Sequence, residues 1–479
     1  MKKVLLSVIF FCVQSFIVGQ IAVETIDSTI KFANEQMKNT ILEMNDNSSL
    51  HPNQTNISSG RWEFSNRKWW ISGFFAGVSW YMSELVGDNS YWLDIATRWT
   101  KDLESQKNDT GNHDVGFQIF CSYGNANRIT PNEDYKNIII TAANSLASRY
   151  DETVGSIRSW SWGNWNYPVI VDNMMNLELL LWASENGGDE ELKTIAIKHA
   201  KKTLENHIRE DGSTYHIVDY NNDGSIKNKD THQGYNIEST WSRGQAWGIY
   251  GFTMMYQYTK NDTFLTAAKK LSDYFIDNLP DDFVPYSDFK DPNIPNVSKD
   301  ASAAAITCSA LFELAKYVDD DKYKNSAVDI LNSLVNNYLA KNSNYHSVIK
   351  RACVRSGDSE RGLIYADYYF LEALMRYKNS VTSIKENEIL INSHFELFQN
   401  YPNPFNPSTV INYKLAKDSF VKLNIYNSIG KKMSSYLNEK QSSGTHAFYF
   451  DATSYASGIY YYQLISNGFS QSKKMVILQ

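Results

Sequence analysis

The chain has 479 residues, enough for two or three domains. At 42% apolar and 14% aromatic it can build a large core, which argues against a disordered chain. Its net charge of −7, with no run of Lys or Arg, makes nucleic acid a poor partner, yet leaves room for a small anion held by a few placed cations.

The first residues, MKKVLLSVIFFCVQSFIVGQ, set Lys2 and Lys3 before an apolar run that ends near Val18 and Gly19. This pattern predicts a secretory signal peptide over residues 1–19. Its apolar core is too short to span a bilayer comfortably, so no transmembrane span is expected after cleavage. Cys121, Cys308 and Cys353 then remain. An odd number argues against a disulfide framework, and no Cys/His spacing matches a zinc site.

From about residue 22 to 378 the pattern is helical. In VETIDSTIKFANEQMKNTILEM the residues Ile26, Ile30, Ala33, Met37, Ile41 and Met44 fall on one stripe. Similar segments are predicted at 72–86, 89–107, 114–126, 131–150, 172–186, 188–206, 243–260, 262–279, 301–317, 320–339 and 364–378. Twelve helices with few strand patterns suggest six hairpins closed into an (α/α)6 barrel, with inner helices buried on both sides and outer ones on one. The even-numbered segments carry the richest apolar runs, SGFFAGVSWYM and NMMNLELLLWA among them, and are the expected inner ring.

The unusual residues gather just before those even helices. WW precedes the second, NHD the fourth, SWSWGNWNYPVIVD the sixth and THQGYNIESTWSRGQAWGIYGF the eighth. Parallel inner helices would bring Trp70, His113, Asp114, Trp160, Asp172, His216, His232, Gln233, Arg243 and Trp247 to one mouth. Helix N-termini would point there too and favour an anionic ligand.

Asp114 and Asp172 each fall at the first turn of an inner helix, where an N-cap is one reading. The other is chemical. A close carboxylate pair splits its pKa values, giving one acid and one ionised partner, and the surrounding indoles suit stacking on sugar rings. Arg243 has the planar fork to clamp a substrate carboxylate, or else pairs with Glu238 or another acid.

After about 378 the character changes. NSVTSIKENEILINSH reads as a linker over 379–394. Beyond it, VKLNIYN, HAFYFDA, GIYYYQLIS and KKMVIL alternate as strands, with Gly430, Gly444 and Gly458 at turns. Residues 395–479 are therefore expected to form a small all-β sandwich.

The strings WWISGFFAG, HDVGF, VDNMMNLELLLWAS, STYH, THQGYNIESTWSRGQAWGIYGF and VPYSDF followed by DASAAAI resemble glycoside hydrolase family 88, the unsaturated glucuronyl hydrolases. The resemblance covers residues 60–378 and implies an (α/α)6 barrel. It also implies a reaction that needs neither metal nor cofactor: removal of the 4,5-unsaturated uronic acid that polysaccharide lyases leave at a non-reducing end. By the motif match Asp172 is the acid and then the base, Asp114 its ionised partner. Trp70, His113, Trp160, His216, Gln233, Arg243 and Trp247 are implied to bind substrate. The chain departs from the family pattern at Ser72, often Asp; at Asn112, often His; and at Ser287, often Trp. The tail, marked by FQNYPNPFNPSTVINYKL, resembles a type IX secretion sorting domain. It implies export through the periplasm and across the outer membrane to the medium or cell surface, with that secretion machinery as a partner. Ulvan fragments are the first expected substrate, with chondroitin, hyaluronan and heparin fragments as rivals. A related unsaturated rhamnogalacturonyl hydrolase would use the same barrel. A non-catalytic glycan-binding protein would be expected to lose one of the two aspartates.

Overall fold

The computed structural model describes residues 21–87, 89–466 and 469–478. The expected signal peptide lies outside these residues. The chain divides into two compact units, the first ending at Tyr377 and the second beginning at Lys378.

Among the described residues twelve α-helices follow one another. They are α1 (Val23–Glu43), α2 (Ser72–Leu85), α3 (Ser90–Asp102), α4 (Val115–Ile119, continued by a π turn Phe120–Gly124 into Asn125–Ile129), α5 (Glu133–Ala147) and α6 (Asn173–Glu185). Then come α7 (Glu190–His207), α8 (Ser242–Thr259), α9 (Asp262–Asp277), α10 (Ala301–Leu314), α11 (Asp321–Ser333) and α12 (Ile364–His394). The odd and even helices differ as their sequences dictate. In α1 only one stripe is buried, built on Ile26, Ile30, Ala33, Met37 and Ile41, as expected of an outer helix. In α2, 13 of 14 residues are buried, and in α10 all 14. Helices apolar on every side must be surrounded, and these form the inner ring.

The ring closes through named contacts. A Cβ on Gly73 of α2 would lie 2.1 Å from the Phe117 carbonyl oxygen of α4, and one on Gly116 of α4 would lie 2.4 Å from Asn176 Oδ1 of α6. Only glycine allows helices so close. α6 packs on α8 and α8 on α10. Ser309 of α10 and Tyr81 of α2 both donate to the Glu372 carboxylate of α12. The result is an (α/α)6 barrel.

The helix N-termini differ in their capping: inner α10 is capped by Asp300, and outer α1 and α3 carry no side-chain cap. Outer helices α5, α7, α9 and α11 are capped by the side chains of Asn132, Asp189, Asn261 and Asp320. Inner helices α2, α4, α6 and α8 have no side-chain cap. Some of their first N–H groups find other partners: Ser72 and Ser242 donate to the Trp69 and Ser287 carbonyls, and Phe117 donates to Asn176 Oδ1.

One element escapes the sequence patterns. A three-stranded antiparallel sheet, with Ile217–Tyr220 between Pro168–Ile170 and Ile226–Asp230, carries the loops that lead into α6 and α8. Its strands have three to five residues, too few for alternation to register. Cys121, Cys308 and Cys353 are buried and free.

The segment expected as a linker, residues 379–394, is helical, since α12 runs to His394 past the division between the units at Tyr377 and Lys378. Residues 378–394 contain neither Gly nor Pro, so nothing in them stops a helix. The second unit is a β-sandwich. One sheet orders Gly444–Asp451, Ser408–Leu415 and Phe395–Leu397. The other orders Lys432–Gln441, Ser419–Asn427, Gly458–Ser466 and Phe469–Ile477. Its core includes Ile411, Tyr413, Val421, Leu423, Ile425, Tyr462 and Leu464.

Candidate active site

The N-terminal ends of the inner helices converge on an aromatic floor. Trp70, just before α2, meets Phe117 of α4 at 5.6 Å and Tyr365 of α12 at 5.2 Å between ring centroids. Phe117 meets Trp247 of α8 at 5.3 Å, and Trp247 meets Tyr369 of α12 at 5.4 Å. Trp247 is fully buried, and the hydrogen-bonding influence of its indole N–H falls on the Asp172 carboxylate.

Asp114 and Asp172 occupy the N-cap positions of α4 and α6, but neither side chain caps its helix. The structural reading of these residues therefore fails, and both carboxylates belong to the mouth. Burial raises each pKa from 3.8 to about 7. For Asp172, Arg243 and the Trp247 indole pull the other way, while Asp114 adds to the rise. For Asp114, Arg149 opposes burial and Asp109 adds to it. Asp172 thus feels the charge of Asp114, and burial brings both carboxyls to titrate near neutral pH. One oxygen of Asp172, Oδ2, is buried and unbonded.

Each acid faces an imidazole, and the two imidazoles present opposite sides. His216 Nδ1 accepts the His232 backbone N–H at 3.2 Å, so its proton sits on Nε2, 3.6 Å from Asp172 Oδ2. Asn173 donates its amide to the Ile157 carbonyl at 2.8 Å, which turns its oxygen toward His113. His113 Nδ1–H then donates to Asn173 Oδ1 at 2.8 Å, and the bare Nε2 stands 3.5 Å from Asp114 Oδ1. Burial lowers the His113 pKa to about 3 and the His216 pKa well below its usual value, so both rings are neutral at pH 7.

The remaining expected residues fall around this pair, with two differences of role. Arg243 is buried and its fork is already engaged. Nη1 pairs with Asp300 at 2.8 Å and donates to the Cys353 carbonyl at 2.6 Å; Nη2 donates to the Val354 carbonyl at 2.5 Å. It therefore does not offer a free two-pronged clamp. What it supplies to Asp172 is positive potential. The sequence reading allowed an acid partner for Arg243 but could not pick Asp300, 57 positions away. Gln233 donates to the same Val354 carbonyl at 3.0 Å and accepts from Ser356 N–H at 2.7 Å, so both residues pin the loop after Cys353. Trp160 is the second difference. It is 8% exposed and packs with Ile170 and Ile217, while Trp162 stacks on it.

Sequence reasoning missed the two buried amides of α6, Asn173 and Asn176. Asn176 Oδ1 accepts the Phe117 N–H at 2.8 Å. Two asparagines three apart in the apolar run NMMNLELLLWA were the available signal. Asn112 was noted only as a departure, yet its Oδ1 accepts the Asp114 N–H at 2.7 Å and fixes the loop there. Beyond Gln233 an open groove of about 740 Å³ runs past Gly234, Tyr235, Ile294 and Ser356. Among the described residues no group of three or more His, Cys, Asp or Glu side chains is placed to hold a metal ion.

A barrel with paired carboxylates at an aromatic mouth is the architecture of a carbohydrate-active enzyme, and comparison with known proteins agrees. Residues 33–380 match Glycosyl Hydrolase Family 88, and residues 399–478 match the secretion system C-terminal sorting domain. The chain belongs to glycosyl hydrolase family 88 and is a glycoside hydrolase. It is 44% identical over 323 residues to an unsaturated glucuronyl hydrolase of Formosa agariphila, covering 65% of this chain and 80% of that one. It is 33% identical over 342 residues to an unsaturated glucuronyl hydrolase of Bacillus sp. (strain GL1), covering 68% and 90%. Its structure is similar to that of an unsaturated glucuronyl hydrolase specific for heparin, with a TM-score of 0.72 and 37% identity over 75% of this chain and 99% of that one.

Proposed function

We propose that the enzyme removes the 4,5-unsaturated glucuronyl residue from the non-reducing end of lyase-generated oligosaccharides. The observation that carries this reading is the pair of uncapping, buried aspartates whose pKa values lie near neutrality beside two neutral histidines.

In this reading Asp172 in its acid form protonates C-4 of the vinyl ether. Positive charge develops at C-5 and the ring oxygen, and Asp114 in its ionised form, which the Arg149 charge favours against the bare His113 nitrogen, stabilises it. Asp172, now a carboxylate, takes a proton from water as the oxygen adds to C-5. The hemiketal then opens and releases the neighbouring sugar. Oδ2 of Asp172 faces the His216 N–H, which leaves Oδ1 to carry the transferred proton. The substrate carboxylate adds negative charge to the mouth, which raises the Asp172 pKa further and keeps the proton in place. The dipoles of α2, α4, α6 and α8, whose N-termini carry no side-chain cap, and the buried charge of Arg243 favour that anion without a free clamp. Trp70, Trp247, His113 and Gln233 shape the pocket around the ring.

The substrate class we favour is ulvan-derived, an unsaturated glucuronic acid on sulfated rhamnose. The export domain supports this choice by pointing to work outside the cell, where lyase products of large polymers arise. Related proteins include one specific for heparin and several unsaturated chondroitin disaccharide hydrolases, so products of heparin, chondroitin and hyaluronan belong in the same test. Ultraviolet absorbance of the conjugated double bond reads it directly. Wild-type enzyme should abolish the signal on at least one product, and Asp172→Asn should lower kcat by roughly 10³-fold or more, with KM changed only a few-fold. Persistence of the signal on every product, with folded enzyme, would refute the reading; a rising signal on intact polymer would indicate a lyase.

A further inference from the structure

The loop that leads into the first strand of the small sheet, Pro168–Ile170, holds an unusual pair of indoles. Trp160 and Trp162 lie parallel, 14° apart in plane, with centroids 4.9 Å apart. Trp165 meets Trp160 edge-on at 6.2 Å. The inner ring, Trp160, is enclosed by Trp162, Ile170 and Ile217. The outer ring, Trp162, is 58% exposed.

The backbone around this exposed indole is pinned. Gly163 beside it takes a φ of +76°, a conformation other residues rarely adopt. The N–H groups of Asn166 and Tyr167 both donate to the buried Asp219 carboxylate, at 3.0 and 2.8 Å. Ser159 N–H donates to the Pro168 carbonyl at 2.9 Å. The loop therefore presents Trp162 as a fixed surface.

Its position relative to the acids follows from contacts. His232 lies edge-on to Trp162 at 6.2 Å, its backbone N–H bonds His216, and His216 faces Asp172. Trp162 is thus at the rim on the Asp172 side. A terminal sugar bound at the acids has only one neighbour, the sugar it is leaving, and that sugar must extend toward the rim.

We infer that Trp162, and not Trp160, is the stacking platform for the ring on the leaving side of the scissile bond. This rests on the proposed reaction. The ligand is a pyranose with an apolar C–H face, the surface that suits a flat indole. Trp160 serves as the base that keeps Trp162 flat, a positioning residue without sugar contact.

The test compares two substrates carrying the same unsaturated uronate, a disaccharide and a methyl glycoside with no second ring. Trp162→Ala should raise KM for the disaccharide about 3- to 10-fold, the size of one aromatic contact, and leave kcat within about twofold. Trp162→Phe should recover most of the loss. Neither variant should change kinetics on the methyl glycoside. Equal losses on both substrates would mean that Trp162 only supports the loop, and would overturn the assignment. So would a silent Trp162→Ala with the loss appearing in Tyr235→Ala, which would place the leaving ring in the groove past Gln233. If wild-type enzyme clears neither substrate, the proposed reaction itself is wrong and the platform falls with it.

Discussion

At Asp172 the burial that lifts the pKa to about 7 also sets how the enzyme should respond to pH. The acid form is the working form, so kcat/KM should fall roughly tenfold per unit once pH exceeds that value. The groups facing the pair are His113, His216, Arg149 and Arg243; the histidines are neutral far below pH 7, and the arginines stay charged. Asp109, which acts on Asp114, also faces the pair, and the basic limb is expected to follow the two buried aspartates. A pH profile with Asp114→Asn beside wild type checks this: removing the neighbouring negative charge should move the limb to lower pH. The same shift affects stability with a definite sign. A carboxyl whose pKa is raised on folding binds its proton more tightly in the native state, so its contribution is present below the unfolded pKa of 3.8 and is lost as pH rises toward about 7. Asp172→Asn should therefore gain on wild type as pH goes from 5 to 8, by about 1–2 °C in Tm. A melting series at both pH values reads it.

Among the elements, the inner helices owe their closeness to individual residues. A Cβ at Gly116 would strike Asn176, whose Oδ1 it would approach to 2.4 Å and whose Cα to 2.7 Å. Gly116→Ala should cost about 1–3 kcal/mol in chemical denaturation and shift α4 enough to lower kcat, because Asp114 stands at the head of that helix. Arg243 is a second such point. Asp300→Ala would leave a buried guanidinium with only carbonyl and hydroxyl partners, and should destabilise the barrel by about 3–5 kcal/mol. This scale is also where the sequence was most readable. Twelve helices were legible because their apolar spacing is strong and long. The π turn at Phe120–Gly124, the three-stranded sheet and the helical end of α12 were not, since each depends on local packing or on a polar stretch with no marked stop. The mouth was legible as a cluster, because its residues precede even-numbered helices. The engagement of Arg243 by Asp300 and the covering of Trp160 by Trp162 were not, because both are settled by contacts that spacing does not encode.

For the whole molecule, the two compact units divide chemistry from address. Every residue assigned to the site lies before Tyr377, and the sorting-domain match begins at residue 399. A chain ending at His394 should keep kcat/KM within about twofold of the full chain and should fail to reach the outer surface. Activity in cell fractions of a host with type IX secretion, compared for both forms, separates the two roles. Loss of activity in the short form after equal purification would show that the sandwich does more than direct export.

The three sealed cysteines have a consequence for how such a protein is handled. Cys121, Cys308 and Cys353 are all buried, and burial drives each thiol away from its reactive thiolate. Among the described residues no disulfide has to form, and the three buried thiols are shielded from oxidants. The thiols also become a built-in clock. Cys353 lies in the loop held by Arg243, whereas Cys308 lies within the inner ring, so an alkylating reagent that reaches the first before the second reports local opening at the mouth. Simultaneous labelling reports that the barrel comes apart only as a whole.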